Sequence, residues 1–143
     1  MIMGTISKNF SYSEFERSET AEKRGIVNVI ATARVRDSIE ALVINVLQPL
    51  RTALGVEMPV NSGYRCPELN AAVGGVPASQ HMKGEAADIA TAAPLRMARK
   101  AVELGLPFDQ MGIYPTFVHF SHKLGGPQRG QIFYSKYYKG ERL

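Results

Sequence analysis

The stretch Ser79-Gln-His-Met-Lys-Gly-Glu-Ala-Ala-Asp-Ile89 carries an imidazole and a carboxylate, His81 and Asp88, seven positions apart. Gly84 lies between them, and the spacing suits a loop that leads into a strand better than adjacent turns of a helix. Ala86–Ala90 is typical of a buried strand, where an inward carboxylate needs a partner. A His–Asp hydrogen bond in a core and two thirds of a metal site both fit this pattern, and spacing alone favours the hydrogen bond.

A third ligand has one obvious source, the alternating segment Phe117-Val-His-Phe-Ser121. Alternation in a strand directs His119 to one face of a sheet, whereas His122 would point to the other face if the strand continues. A lone inward histidine is ordinarily a satisfied core residue, so His119 is ambiguous by itself. Together with His81 and Asp88 it would leave one open position on a zinc ion, which is the arrangement of hydrolytic zinc centres.

Hydrophobic periodicity and helix-end signals predict four helices: one starting near Ser11, one over about residues 28–54, one from Pro67 to Val73 and one over residues 94–104. Ser11 and Glu14 have the spacing of a capping box. Pro49 removes a backbone donor inside the longest helix, so we expect a kink or a break near residues 45–48.

Five short segments read as strands: residues 57–62, 86–90, 109–114, 117–121 and 130–135. Pro59 indicates that the first of them lies at the edge of a sheet. The turn Pro115-Thr116 predicts a hairpin between the third and fourth segments. The predicted helices lie mostly in the early part of the chain and the predicted hairpins in the late part. This order predicts an α+β fold with helices packed on a mainly antiparallel sheet.

The chain has 143 residues, 45% of them hydrophobic, which suits one domain over residues 1–143. A single cysteine, Cys66, excludes an intrachain disulfide, and a packed thiol is a more ordinary role for it than a zinc ligand or a nucleophile. The net charge of +4 comes without an aromatic-basic motif, so we expect no nucleic-acid partner. With no signal-peptide pattern and no apolar run near ~20 residues, we expect a soluble monomer and no membrane partner.

Several motifs in register carry a resemblance to a known family. They are Asn9-Phe10 with Glu14-Phe15, Val46-Leu47 with Pro49-Leu-Arg51, Ser62-Gly-Tyr-Arg65, Leu69-Asn70, Val73-Gly-Gly75, Ser79-Gln-His81, Asp88-Ile89, Asp109-Gln110 and Val118-His-Phe-Ser121. In order and spacing they resemble the zinc D-Ala-D-Ala carboxypeptidases of peptidase family M15, subfamily A, over nearly the whole chain. The chain looks closest to compact single-domain members found in phages and bacterial genomes, such as endolysins.

The resemblance implies the fold shared by D,D-peptidases and the hedgehog signalling domain, and one zinc ion per chain held by His81, Asp88 and His119. Zinc would lower the pKa of a bound water towards ~7 and so supply hydroxide at neutral pH. Arg65 matches the family's arginine, whose planar fork suits a substrate carboxylate or the oxyanion of a tetrahedral intermediate. Ser79 would either bind substrate or hold its loop.

The chain departs from the family pattern at the general base. Related peptidases place a glutamate or another proton acceptor near the position of Tyr114, but residues 110–118 contain no carboxylate. A phenol with an ordinary pKa of about 10 is a poor base at neutral pH, although it can donate a hydrogen bond to an oxyanion. Gln80 and Asp109 are candidates to support either the ligands or the fold, and we expect Glu85 to be a solvated charge.

These features predict a zinc-dependent metallopeptidase that acts on peptidoglycan stem peptides, removing a C-terminal D-alanine or cutting a cross-link. The alternative is a zinc-stabilised cell-wall-binding module that has lost turnover, which the missing carboxylate favours. We expect synthesis in the cytoplasm and action at the cell wall, reached through phage lysis or non-classical export.

Overall fold

The computed structural model describes residues 4–143, which form an α+β fold, as predicted. The helices are α1 (Tyr12–Glu16), α2 (Glu19–Arg24), α3 (Ala33–Leu42), α4 (Gln48–Leu54), α5 (Pro67–Ala72) and α6 (Pro94–Glu103). The strands are β1 (Thr5–Ser7), β2 (Phe10–Ser11), β3 (Val60–Ser62), β4 (Ala86–Ala90), β5 (Gln110–Ile113), β6 (Phe117–Ser121) and β7 (Gln131–Tyr134). A π-helical segment, Val43–Leu47, joins α3 to α4, and a 3-10 helix spans Gln80–Lys83.

Five strands form the main sheet in the order β3-β4-β6-β5-β7, while β1 and β2 pair separately. Neighbouring strands of the main sheet are antiparallel except β5 and β7, which run parallel. β5 and β6 form the predicted hairpin, and β3 lies at one edge, as Pro59 indicated. The predicted mainly antiparallel sheet is therefore confirmed.

Alternation of side chains divides the main sheet into two faces. One face joins the helices in an apolar cluster, and its fully buried members include Ile89, Met111, Ile113, Val118 and Phe120. α6 contacts β5 and β6, so the predicted amphipathic helix covers this core face. The opposite face, called the site face below, carries Asp88, His119 and Gly112 at positions paired across three adjacent strands.

The longest helix begins later than the sequence predicted. α3 starts at Ala33, where the hydroxyl of Thr32 caps the first turn. Asn28, which the periodicity placed inside the helix, is buried and bonds three backbone groups elsewhere: the carbonyls of Glu16 and Tyr64 and the amide of Cys66. These bonds tie Asn28 to distant segments, and the helix starts only after Thr32.

The disturbance predicted near residues 45–48 is the π-helical segment Val43–Leu47, not a break. Pro49, which lacks an N–H, directly follows this segment in the first turn of α4, at the point where the backbone hydrogen-bonding pattern changes. The buried face of the segment remains fully packed, and the helical path therefore continues through the core. No helix within residues 4–143 has the length and apolar character to cross a membrane.

The first described residues contain elements that the sequence did not indicate. α1 starts with the predicted capping box, in which the Glu14 carboxylate accepts from the Ser11 amide at 2.8 Å. β1, β2 and α2 were not predicted, because segments of two to six residues are too short to show a hydrophobic period.

Candidate metal centre

Three elements bring the predicted ligands to one point on the site face. Asp88 in β4 lies directly opposite His119 in β6, because the antiparallel register pairs these two residues. His81 lies in the 3-10 helix that precedes β4. One donor atom from each of the three side chains lies within 4.8 Å of the others. The fold thus groups the two imidazoles and the carboxylate that the sequence singled out.

The donor atoms have separations close to those of a tetrahedral site. Oδ1 of Asp88 lies 3.5 Å from Nε2 of His81 and 2.7 Å from Nδ1 of His119. Zinc bonds of about 2.0–2.2 Å to nitrogen and oxygen put tetrahedral ligand atoms roughly 3.4 Å apart. The contact between Asp88 and His119 would have to open by roughly 0.7 Å, which a small side-chain rotation allows. The residues therefore fit zinc in number, chemistry and spacing.

Backbone groups fix the orientation of the His81 ring. Its Nδ1 lies 2.7 Å from the carbonyl oxygen of Gly63. A carbonyl can only accept, so Nδ1 carries a proton and Nε2 presents its lone pair towards Asp88. Oγ of Ser79 accepts from the His81 amide at 3.1 Å and caps the 3-10 helix. Ser79 therefore holds the loop, and its contact with substrate stays a prediction.

Asp88 is ionised at neutral pH. Burial alone would raise the pKa of its carboxyl group, but the hydrogen bond from His119 and the neighbouring imidazole of His81 outweigh burial and hold the pKa well below its usual range. An ionised carboxylate loses no proton on binding a cation. Nδ1 of His119 faces Asp88, and a metal bound at Nδ1 would require the ring to carry its proton on Nε2.

Arg65 lies beside this group on the side of β3. Its Nε donates to Oγ of Ser62 at 3.2 Å, and its Nη1 donates to Oδ1 of Asn70 at 3.3 Å. Nη2 lies 4.0 Å from Oδ2 of Asp88. Burial lowers the pKa of Arg65, and the charge of Asp88 partly offsets this effect. Two side chains thus hold the guanidinium with its third nitrogen next to the candidate ligands.

A cleft of about 640 Å³ opens beside Arg65. Its walls come from the start of α2, from β3 and from α5, and they include Ser62 and Leu69. The cleft is large enough to hold several residues of a peptide, and Arg65, which lines it, lies 4.0 Å from Asp88.

Tyr114 follows β5, and its ring stacks on Phe117 at a centroid distance of 4.2 Å. Burial, and to a lesser extent the charge of Asp88, raises the pKa of Tyr114 above its usual value. The phenol therefore stays protonated at neutral pH and can donate a hydrogen bond, but it cannot serve as the base. Within residues 4–143, the hydrogen bonds and ion pairs of the three candidate ligands involve no carboxylate besides Asp88.

Asp109 is the centre of a polar network next to the loop that carries His81. Its fully buried carboxylate accepts from the backbone amide and guanidinium of Arg129 and from Nε2 of Gln80, at 2.7–3.1 Å. Hydrogen bonding from Arg129 outweighs burial and holds the pKa of Asp109 well below its usual range. Because Gln80 directly precedes His81, the network supports both the fold and the ligand loop.

The expectation that Glu85 is a solvated charge is wrong. Glu85 is buried, and its Oε1 accepts from Nε2 of Gln80 at 3.2 Å. The 3-10 helix places Gln80 over the start of β4, where it covers Glu85. Strand alternation alone does not predict this contact. Glu85 does not belong to the group of three candidate ligands.

His122 and Cys66 also lie outside that group. His122 is buried, with Nδ1 2.7 Å from the carbonyl oxygen of Pro107. Cys66 precedes α5 and packs against the apolar core. The position of Cys66 agrees with the packed thiol that the sequence favoured.

Phe133 is a neighbour of the site that no pattern in the sequence indicated. The centroid of its ring lies 6.2 Å from that of His119, and the ring covers the backbone of Gly112. A strand was predicted at this position, but its place beside β5 depends on long-range pairing. The available signal was Gly112 itself, because a glycine inside a strand often marks the close approach of another group.

Comparisons with known proteins agree with this geometry. The zinc D-Ala-D-Ala carboxypeptidase of Streptomyces albus G is 34% identical over 124 residues, which cover 85% of this chain and 47% of that protein. The chain thus spans about half the length of this relative, whose name states the metal that the donor set fits. The sequence model of a family described as Peptidase M15 matches residues 8–121. Since this match covers most of the chain and includes all three candidate ligands, the chain belongs to the Peptidase M15 family.

Proposed function

We propose that the chain is a zinc-dependent metallopeptidase that hydrolyses peptidoglycan stem peptides, either as a D-Ala-D-Ala carboxypeptidase or as a cross-link endopeptidase. The observation that carries the proposal is the convergence of His81, Asp88 and His119 on one point. The name of the Streptomyces relative, a D-Ala-D-Ala carboxypeptidase, supports the class of substrate.

One zinc ion per chain would be held by His81, Asp88 and His119. Zinc with three protein ligands acts as a Lewis acid and lowers the pKa of a coordinated water to about 7. Asp88 is already ionised, and the carbonyl of Gly63 already fixes the ring nitrogen that His81 presents. The charge and direction of these donors are therefore set by the chain itself.

Arg65 binds the anionic part of the substrate. Its planar fork suits either a terminal carboxylate or the negative oxygen that develops during attack on the scissile carbonyl. Ser62 and Asn70 hold two of its nitrogens, which reduces the freedom that the side chain loses on binding. The cleft beside Arg65 gives the peptide room to lie along β3.

Tyr114 donates a hydrogen bond to the developing oxyanion, a role that its raised pKa supports because the phenol keeps its proton. Ser79 is the second predicted substrate contact. Its Oγ accepts from the His81 amide, and the hydroxyl hydrogen remains able to donate to a substrate oxygen.

Metal analysis of protein purified without added zinc tests the site. We expect one zinc per chain, lost in His81→Ala and His119→Ala but kept in His122→Gln, whose histidine lies outside the group. Hydrolysis of muropeptides should stop with a chelator and return with Zn²⁺. Protein that contains no zinc and gains no thermal stability from added zinc would contradict the proposal.

A second candidate function follows from Tyr114, because the resemblance to the family leads us to expect a proton acceptor near this position. A zinc-stabilised module that binds peptidoglycan without cleaving it would keep the metal group and lack turnover. Incubation of zinc-loaded protein with purified peptidoglycan separates the two functions. Release of D-alanine or of new amino groups supports the peptidase, whereas binding without release supports the module.

A further inference from the structure

The side of the site opposite Arg65 is formed by an aromatic ring. Phe133 in β7 pairs with Gly112 in β5, which in turn pairs with His119 in β6. The three residues thus form a row across the site face, and the ring of Phe133 comes within 6.2 Å of the His119 ring.

Gly112 is required for this arrangement. A β-carbon added at Gly112 would lie 2.3 Å from Cζ of Phe133 and 2.6 Å from Cε2. These distances are far below van der Waals contact, so the ring rests directly on the glycine backbone. No other residue type leaves room for it. The half-buried position of Phe133 is therefore built into the sheet and keeps part of the ring accessible.

Two more rings extend this surface. Tyr114 meets Phe133 edge-on, with centroids 6.2 Å apart and planes at 84°, and Phe117 stacks on Tyr114. We call Phe133, Tyr114 and Phe117 the aromatic wall. None of the three carries a formal charge, in contrast to the guanidinium of Arg65 on the side of β3.

We propose that Phe133 determines specificity by contacting an apolar side chain on a residue that flanks the scissile amide. The proposal rests on the proposed function. The side chain that Phe133 selects is the methyl group of alanine. A ring this close to His119 can contact the side chain on the α-carbon next to the scissile amide. A methyl group that packs against the ring is removed from water, whereas glycine has no side chain to fill that space.

The expected preference is modest. Burial of one methyl group contributes ~0.8 kcal/mol, which corresponds to about fourfold tighter binding of alanine than of glycine. The effect should appear in binding as well as in turnover, because the contact exists before the reaction.

The test uses reduced-amide analogues, in which a methylene group replaces the scissile carbonyl so that no cleavage occurs. One analogue ends in D-Ala-D-Ala, and two others carry glycine in place of either alanine. Calorimetry with zinc-loaded protein should show an alanine preference of about fourfold at one position. We expect Phe133→Ala to abolish that preference and Phe133→Tyr, which keeps the ring face, to retain it.

Ile132→Ala is the matched control, because Ile132 is an exposed apolar residue of the same strand that pairs with Met111 of the core face. This variant should keep both zinc and the preference. A wild-type protein that binds no analogue and cleaves no peptide would overturn the proposed function and the specificity role together. Binding without an alanine preference, or a preference that survives Phe133→Ala, would overturn the role of Phe133 and leave the proposed function in place.

Discussion

Replacement of Asp109 by asparagine should destabilise the fold more than the loss of any exposed ion pair. The carboxylate is fully buried and accepts hydrogen bonds from Arg129 and Gln80. Asparagine keeps the shape but removes the charge and turns one acceptor into a donor that faces other donors. Hydrogen bonds to a charged group contribute about 1.5–3 kcal/mol each, and the side chain of Arg129 is 50% exposed, so we expect a total loss of about 3 kcal/mol.

Urea denaturation of wild type and variant measures this loss, and thermal unfolding should show a fall of roughly 9 °C for a chain of this length. Asp37→Asn is the control, because Asp37 pairs with Arg36 on the surface with its side chain 49% exposed, and should cost below about 0.5 kcal/mol. Equal losses of unfolding free energy in Asp109→Asn and Asp37→Asn would refute the importance of the hydrogen-bond network around Asp109. Zinc affinity should also fall by about tenfold, since Gln80 adjoins His81.

The same variant has a defined pH dependence. The pKa of Asp109 is depressed in the folded state below its ordinary value of 3.8, so its contribution is present above that value and is lost as the pH falls towards the folded pKa. The stability difference between wild type and Asp109→Asn should therefore be constant from pH 7 to about pH 5 and shrink below about pH 4.

Three further predictions concern the site. His119→Ala should remove zinc and, with it, roughly 3 kcal/mol of stabilisation when zinc is present at a hundred times its dissociation constant, as measured by thermal unfolding with and without Zn²⁺. Tyr114→Phe should keep its zinc and lower kcat by about 10- to 100-fold in a D-alanine release assay; an unchanged kcat would exclude the phenol from catalysis. Gly75→Ala would place a β-carbon 2.1 Å from Oδ1 of Asn70 and 3.0 Å from Nη1 of Arg65, so KM should rise while zinc content stays the same.

The candidate ligands could be found from the sequence because each lies in a short-range pattern. His119 alternates with apolar neighbours, and Asp88 lies among alanines after a glycine turn. The register that sets Asp88 opposite His119 is a long-range property, and periodicity within a segment carries no information about it. The family resemblance supplied the missing link between the two segments.

Other features depend on partners that are distant in sequence. Asn28 leaves the predicted helix because it bonds backbone groups 12 and 36 positions away. Glu85 is buried because a 3-10 turn folds Gln80 over it, and Phe133 reaches His119 because β7 pairs with β5. In each case a tertiary contact outweighs the local pattern from which a sequence-based prediction starts.

The pairing of Asp88 with His119 has a consequence for folding. The two residues are 31 positions apart in the chain, yet they face each other in one ladder between β4 and β6. A register slip by one residue in either strand would turn the ligand of that strand to the other face of the sheet. A metal ion bound by both strands therefore acts as a cross-link that admits one alignment and closes the intervening loop. Amide hydrogens of β4 and β6 should exchange more slowly with zinc bound, including those at the ends of the ladder far from the ion.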